Sequence, residues 1–244
     1  MRGSAYYNEF EPFAAQWLRN LIAAGHIAPG DVDDRSIVDV HPADLIGYDQ
    51  CHFFAGIGGW SLALRLAGWD DDREIWTGSC PCQPFSIAGR GAGAGDDRHL
   101  WPTWFRIIAE CRPNRIAGEQ VAAAVGRGWL DAVALDLEAA GYAVGAQVLP
   151  AAAVGAHHIR DRLWFVANAV GAGLPIPQRE TVFQARRRQE GGTTPECRRW
   201  PAEPAVGRVA HGVPGRVGRL RAYGNAIVPQ VAAEVIAAFM ECAP

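Results

Sequence analysis

Short apolar runs alternate with stretches of helical spacing over much of the chain. Runs at 50–55, 74–76 and 115–118 predict strands, and apolar residues three and four positions apart follow each of them, which is typical of a helix. Two more apolar runs, at 144–149 and 163–167, predict additional strands. Strands that alternate with helices form a mainly parallel sheet covered by helices, so the pattern predicts an α/β fold.

Helical patterns also occur near both ends of the chain. Residues 5–28 predict an amphipathic helix that packs on the main domain through Phe13, Trp17, Leu18, Leu21 and Ile22. The stretch 31–49 is predicted to be an acidic connector, and neither segment carries a pattern that indicates chemistry. A last helix is predicted to place inward the residues Val231, Val235, Ala238 and Phe239.

Composition narrows the class of protein. The chain has 244 residues, of which 49% are hydrophobic and 20% charged, and this describes a soluble globular protein. No apolar run approaches the ~18 residues of a membrane span and no signal peptide is evident, so we expect a cytoplasmic protein without a membrane partner. The six cysteines have neither disulfide-framework nor metal-ligand spacing. We therefore expect reduced thiols and no bound metal.

The basic residues are unevenly distributed. Net charge is −3, every basic side chain other than histidine is arginine, and arginines are concentrated between 179 and 221. Such asymmetry indicates one basic face for nucleic acid on an otherwise acidic protein, although a GC-rich genome that encodes arginine in place of lysine would look the same. The segment 168–206 is rich in glycine, proline and arginine and has no periodicity. It is either a nucleic-acid contact region or a disordered basic linker.

Two predicted strands end in residues suited to a ligand site. The strand 50–55 runs into Gly56-Ile57-Gly58-Gly59 and then a helix, an arrangement in which a ligand approaches backbone near a helix N-terminus. The strand 74–76 is followed by Cys80-Pro81-Cys82-Gln83-Pro84, where two prolines make the loop stiff. Open α/β sheets place their chemistry at the carboxyl ends of strands, so a thiol presented there is a candidate nucleophile.

Five phrases in order resemble motifs of the DNA (cytosine-5) methyltransferases. Residues 53–59 are similar to the glycine signature that binds S-adenosylmethionine, and Pro81-Cys82-Gln83 is similar to the catalytic motif. Glu119-Gln120-Val121 resembles the family's Glu-Asn-Val. Residues 158–162 resemble its Gln-x-Arg-x-Arg segment, and residues 224–229 resemble its closing motif.

The resemblance implies a reaction and a set of site residues. The catalytic residues would be Cys82 as nucleophile, Glu119 as the group that contacts the base, and Arg160 and Arg162. The cofactor, S-adenosylmethionine, would contact Phe54, Ala55, Gly56, Gly58, Gly59, Pro81, Asn225 and Ala226. Nucleic acid would contact Gln83, Ser86, Arg90, Arg98, Arg186, Arg187 and Arg198. Double-stranded DNA with a flipped-out cytosine is the expected substrate. A monomer is expected, and a cognate restriction endonuclease is a candidate partner.

The family's order also implies a division of the chain. A helical extension would cover 1–49, a Rossmann-like methyltransferase domain 50–167, a small irregular target recognition region 168–208, and a C-terminal segment returning to the catalytic domain 209–244. Two other functions stay open. The chain could methylate tRNA cytosine, since a small recognition region suits a preformed RNA shape. It could also be a non-catalytic nucleic-acid-binding relative.

The chain departs from the family pattern in four places. His52, Gln120 and His158 replace the family's aspartate, asparagine and glutamine. Twenty-two residues separate Gly59 from Cys82, where the family normally has another strand–helix–strand unit with an acidic residue that holds the cofactor ribose. Residues 70–72, all aspartate, are either a substitute for that acid or a solvated turn.

Overall fold

A seven-stranded sheet forms the centre of the molecule in the computed structural model, which describes residues 4–81, 100–169 and 224–242. The strand order across the sheet is β2-β1-β3-β4-β5-β7-β6. The strands are β1 (Ala5–Asn8), β2 (Gly30–Asp33), β3 (Gln50–Phe53), β4 (Ile75–Gly78), β5 (Arg115–Val121), β6 (Tyr142–Pro150) and β7 (Asp161–Ala169). The predicted α/β class is confirmed.

The direction of the strands sets the position of the site. The five neighbouring strands β2, β1, β3, β4 and β5 are parallel to one another. Strand β7 runs antiparallel to both β5 and β6. The carboxyl ends of β1, β3, β4 and β5 therefore lie at one edge of the sheet, and the start of β7 lies at that same edge because Arg162 pairs with Val121. We call this edge the carboxyl edge.

Helices cover both faces of the sheet. They are α1 (Pro12–Ala23), α2 (Gly59–Leu66), α3 (Trp101–Cys111), α4 (Trp129–Ala139) and α5 (Pro229–Cys242). Helices α3 and α4 share one apolar core with Tyr6, whereas Tyr7 points to the other face, where its hydroxyl donates to the Ala28 carbonyl and lies 3.0 Å from the Ser61 hydroxyl of α2. Leu18 of α1 packs in the cluster of Tyr7, and α5 packs on α2, so α1, α2 and α5 cover this second face.

The first fifty residues differ from the sequence expectation. The predicted helix is present as α1. It begins with Pro12, and the Glu11 side chain caps it by accepting a hydrogen bond from Ala14 N–H. Two strands that the pattern did not predict flank this helix. Strand β1 lies inside the sheet between β2 and β3, with all four of its residues buried. Residues 4–49 are thus part of the sheet and not only a helical extension or connector.

The remaining predicted elements are in place where the structure describes them. Strands β3 to β7 and helices α2 to α4 all correspond to predicted elements. In α5, Val231 and Phe239 are buried as expected, but the other buried positions are Ala232 and Ile236 in place of Val235 and Ala238. Of the predicted recognition region at 168–208, only the first two residues are described, as the end of β7. Within the described ranges, no helix is long and apolar enough to cross a membrane.

Candidate active site

The carboxyl edge brings together residues from four segments of the chain. The glycine turn follows β3, Ser79-Cys80-Pro81 follows β4, and Glu119 lies near the end of β5. Arg160 directly precedes β7, and Arg162 is the second residue of that strand. The sequence predicted these segments separately, and the sheet places them next to one another.

The glycine turn is shaped by backbone conformations that few side chains allow. Phe54, Gly56 and Gly58 all have positive φ, at 51°, 57° and 83°. A Cβ on Gly59 would lie 2.7 Å from the Ile227 side chain, so only glycine permits the close approach of the closing motif. The turn thus has room for backbone contacts on one side and packs tightly against the C-terminal segment on the other.

A cavity of about 460 Å³ lies between the glycine turn and the closing motif. Gly58, Gly59, Ala226 and Arg160 all line it, together with apolar residues of α1 and the His158 side chain. Its size is within the range of small-molecule sites. Two segments predicted to bind cofactor therefore meet at one cavity, while Asn225, the neighbour of Ala226, is exposed.

Glu119 forms the electrostatic centre of the site. The residue is 7% exposed, and its Oε1 lies 2.8 Å from Nε of Arg162. Burial raises the pKa of Glu119, and this effect is opposed by the charge of Arg162, by a hydrogen bond from Ser79 and by the charge of Arg160. The carboxyl group is therefore held beside a cation and yet takes up a proton more readily than a solvated glutamate.

Arg160 has a different task from Arg162. Its Nη2 donates to the carbonyl oxygens of Gly224 and Ala226, at 2.9 and 2.7 Å. Its backbone has φ of 36°, a conformation that costs energy for a residue with a Cβ. Burial, followed by the nearby charge of Arg162, lowers its pKa. Arg160 thus holds the closing motif against the active-site edge, and Arg162 is the direct partner of Glu119.

Several predicted site residues lie outside the described part of the chain. Pro81 is described and ends the segment that leads to the nucleophile position. The others are Cys82, Gln83, Ser86, Arg90, Arg98, Arg186, Arg187 and Arg198. Their assigned roles stay predictions.

Sequence reasoning missed Glu9, which follows β1 at the carboxyl edge. Its carboxylate accepts hydrogen bonds from Gly56 N–H at 2.7 Å and from Glu11 N–H at 2.9 Å. Burial raises its pKa, while these two backbone donors lower it. Strand β1, helix α1 and strand β2 form the strand–helix–strand unit that was expected between Gly59 and Cys82. The unit precedes the glycine turn in sequence, and the signal for it was Tyr6-Tyr7-Asn8 followed by an acid and a helix start.

The three aspartates at 70–72 lie elsewhere. They fall between α2 and β4, at the amino end of the parallel strands, where Gln50 Nε2 donates to the Asp70 carbonyl. Asp71 forms an ion pair with Arg65 at 2.7 Å. This position matches a solvated turn and is the edge opposite to the glycine turn.

His52, which stands where the family has aspartate, has a structural role. Its ring is buried in β3, stacks on Tyr7 with centroids 4.9 Å apart, and makes a 2.7 Å hydrogen bond with Thr77. Burial lowers its pKa to about 3, so it is neutral at physiological pH. In the described ranges there is no group of three or more His, Cys, Asp or Glu residues that could hold a metal.

Comparison with known proteins identifies the family. The model of the C-5 cytosine-specific DNA methylases matches residues 69–194, just over half of the chain. The chain therefore belongs to the C-5 cytosine-specific DNA methylase family, as the motifs predicted. This also confirms S-adenosylmethionine as the cofactor of its family. A comparison with curated proteins gives no match.

Solved structures similar to this chain include three methyltransferases of low identity. A Spodoptera frugiperda DNMT2 mutant is 15% identical with a TM-score of 0.49, and the alignment covers 72% of this chain and 45% of the other. The S. pombe Dnmt2 methyltransferase is 15% identical with a TM-score of 0.43, at 70% and 52% coverage. A putative E. coli prophage DNA modification methyltransferase is 16% identical with a TM-score of 0.37, at 70% and 48% coverage. The chain spans about half the length of these structures.

Proposed function

We propose that this chain methylates carbon 5 of cytosine in duplex DNA, through a covalent adduct with Cys82. The observation that carries the proposal is the buried Glu119–Arg162 pair beside the end of β4. A buried carboxylate at the end of a core strand is costly and calls for a role, and here it faces the loop that leads to the nucleophile position.

The residues account for the chemistry in order. Carbon 5 of cytosine is a poor nucleophile until a thiolate adds at carbon 6, and Cys82 supplies that thiolate. Glu119 contacts ring nitrogen 3 and the exocyclic amine, and its raised pKa suits a carboxyl group that shares a proton with the base as charge develops. Arg162 keeps this carboxyl group oriented. S-Adenosylmethionine supplies the methyl group when bound. Removal of the proton at carbon 5 then releases Cys82.

The residues around the glycine turn fit the cofactor. Each carboxylate oxygen of Glu9 accepts one hydrogen bond, one from Gly56 N–H and the other from Glu11 N–H. Each oxygen can accept another, so the carboxylate can also bind the hydroxyls of a ribose. Phe10 directly follows and is 71% exposed, which offers an aromatic surface to a purine ring. The unit that precedes β3 would thus supply the acidic residue that the short interval between Gly59 and Cys82 lacks.

The substrate proposal extends to the parts that the structure does not describe. The target cytosine must leave the helix stack, at a cost of a few kcal/mol, and the basic segment after β7 would contribute phosphate contacts that offset it. Duplex DNA is the proposed partner, with a monomeric enzyme acting in the cytoplasm. Restriction–modification with a cognate endonuclease belongs to the same proposal.

Methyl transfer to defined nucleic acids tests this function. The full chain is incubated with radiolabelled S-adenosylmethionine and either duplex DNA or tRNA, and the product nucleoside is identified. We expect 5-methylcytosine in DNA, its loss in Cys82→Ser, and its retention in Cys80→Ser, which changes the neighbouring thiol. Methylation of tRNA alone would contradict the DNA assignment, and no transfer to either substrate would contradict the enzyme assignment.

A further inference from the structure

The end of β4 is connected to the end of β5 by two side-chain links. One is made by Gln120 to the carbonyl of Cys80, and the other by Ser79 to the carboxylate of Glu119. Both links lie immediately before Pro81, at the start of the segment that carries the nucleophile position. We call these four groups the β4–β5 link.

Both polar atoms of the Gln120 side chain form hydrogen bonds here, and the nitrogen makes the link to Cys80. Its Nε2 donates to the Cys80 carbonyl at 2.9 Å, and its Oε1 accepts from Val121 N–H at 2.8 Å. Gln120 and Cys80 are each only 3% exposed, so water does not compete for these groups. Because Oε1 of Gln120 is held by Val121 N–H, the Nε2 end of the carboxamide faces Cys80 and donates to its carbonyl.

The direction of the Ser79 hydroxyl follows from its other partner. Trp60 Nε1 lies 3.1 Å from Ser79 Oγ, and an indole N–H can only donate. Ser79 Oγ must accept that bond, which leaves its own hydrogen for the carboxylate of Glu119, a group that as an anion can only accept. A continuous chain of hydrogen bonds thus runs from the first turn of α2 through Ser79 and Glu119 to Arg162.

We infer that Gln120 is a positioning residue for the reaction, because its carboxamide fixes the peptide two residues before Cys82 relative to Glu119. This inference rests on the proposed function for its consequence on rate. A nucleophile and a base-contacting carboxyl group must be held to within fractions of an ångström, and misplacement by about 1 Å can reduce a rate by ~100-fold. Gln120 connects the segment that precedes Cys82 to the strand that carries Glu119.

The substitution Gln120→Met tests the inference, because methionine keeps the length of the side chain and removes the donor. We expect kcat for methyl transfer to fall by ~10- to 100-fold with KM for DNA and for S-adenosylmethionine within about twofold of wild type. The matched control is Gln147→Met, which makes the same change at an exposed glutamine of β6. We expect this control to leave both constants unchanged.

A second measurement does not depend on activity. Hydrogen exchange of a peptide covering residues 77–82 is expected to be at least several-fold faster in Gln120→Met than in wild type and unchanged in Gln147→Met. Unchanged exchange together with unchanged kcat would overturn the inference, as would equal loss of kcat and of folded protein by thermal unfolding. Failure of the wild type to methylate would instead contradict the proposed function, and the exchange comparison would still decide whether Gln120 holds the end of β4.

Discussion

Glu9 provides a direct test of the proposed cofactor site at the carboxyl edge. Replacing it by glutamine keeps the shape and removes the charge, so a ribose hydroxyl loses a hydrogen bond to a carboxylate. Hydrogen bonds to charged groups contribute about 1.5–3 kcal/mol, which corresponds to a dissociation constant for S-adenosylmethionine that is ~10- to 150-fold weaker. The glutamine NH2 would also face one of the two N–H donors of Gly56 and Glu11, so a loss of about 1–3 kcal/mol in unfolding free energy is expected.

Titration calorimetry with S-adenosylmethionine measures the first effect, and thermal unfolding measures the second. The matched variant is Asp72→Asn, which removes the charge of an exposed aspartate at the opposite edge of the sheet. We expect that variant to bind cofactor as wild type does. If Asp72→Asn weakened binding and Glu9→Gln did not, the argument from strand order would be refuted.

Two further changes probe the core of the site. Arg162→Met leaves the Glu119 carboxylate buried without its cation and should cost about 3–5 kcal/mol in a urea unfolding experiment. Arg106→Met breaks an exposed pair with Glu110 and a 3.4 Å hydrogen bond to the Val40 carbonyl, and it should cost no more than about 1 kcal/mol. Equal costs would contradict the assignment. Because the pKa of His52 is about 3 in the folded chain and near 6.5 when unfolded, only the unfolded chain takes up a proton between those values. Stability is therefore full above pH 6.5 and falls below it, by about 2 kcal/mol between pH 7 and 5, and His52→Gln should remove this contribution from the urea midpoints.

The sequence predicted the part of the site that lies on clear strand–turn patterns. The predicted strands at 50–55 and 115–118 are apolar runs, and the glycine turn and Glu119 directly follow them. Pattern and motif agreed there, and the sheet brought both to one edge as expected for parallel strands.

The same reasoning failed for the strand that precedes Glu9. Strand β1 has only four residues and β2 is half acidic, so neither shows a sustained period of two. The order of strands in the sheet also differs from their order in the chain, since β1 lies beside β3 and not at an end. The unit expected between Gly59 and Cys82 therefore lies before the glycine turn, in residues 5–33.

The sequence could not predict that Arg160 and Arg162 make different contacts. Both arginines precede the same predicted strand and carry the same charge, and sequence spacing assigns them to the same site. Their roles separate because Arg160 adopts a positive φ that directs its guanidinium to the carbonyls of Gly224 and Ala226. Such a backbone conformation in a residue other than glycine has no signature in the sequence.

Covalent trapping tests the central claim that Cys82 attacks a cytosine. The full chain is mixed with S-adenosylmethionine and duplex DNA that contains 5-fluorocytosine, in which fluorine blocks the final elimination at carbon 5. The account predicts a protein–DNA band that survives denaturation for wild type and for Cys80→Ala, and that is absent for Cys82→Ala. A band that persists in Cys82→Ala, or no wild-type band on either DNA or RNA, would contradict it.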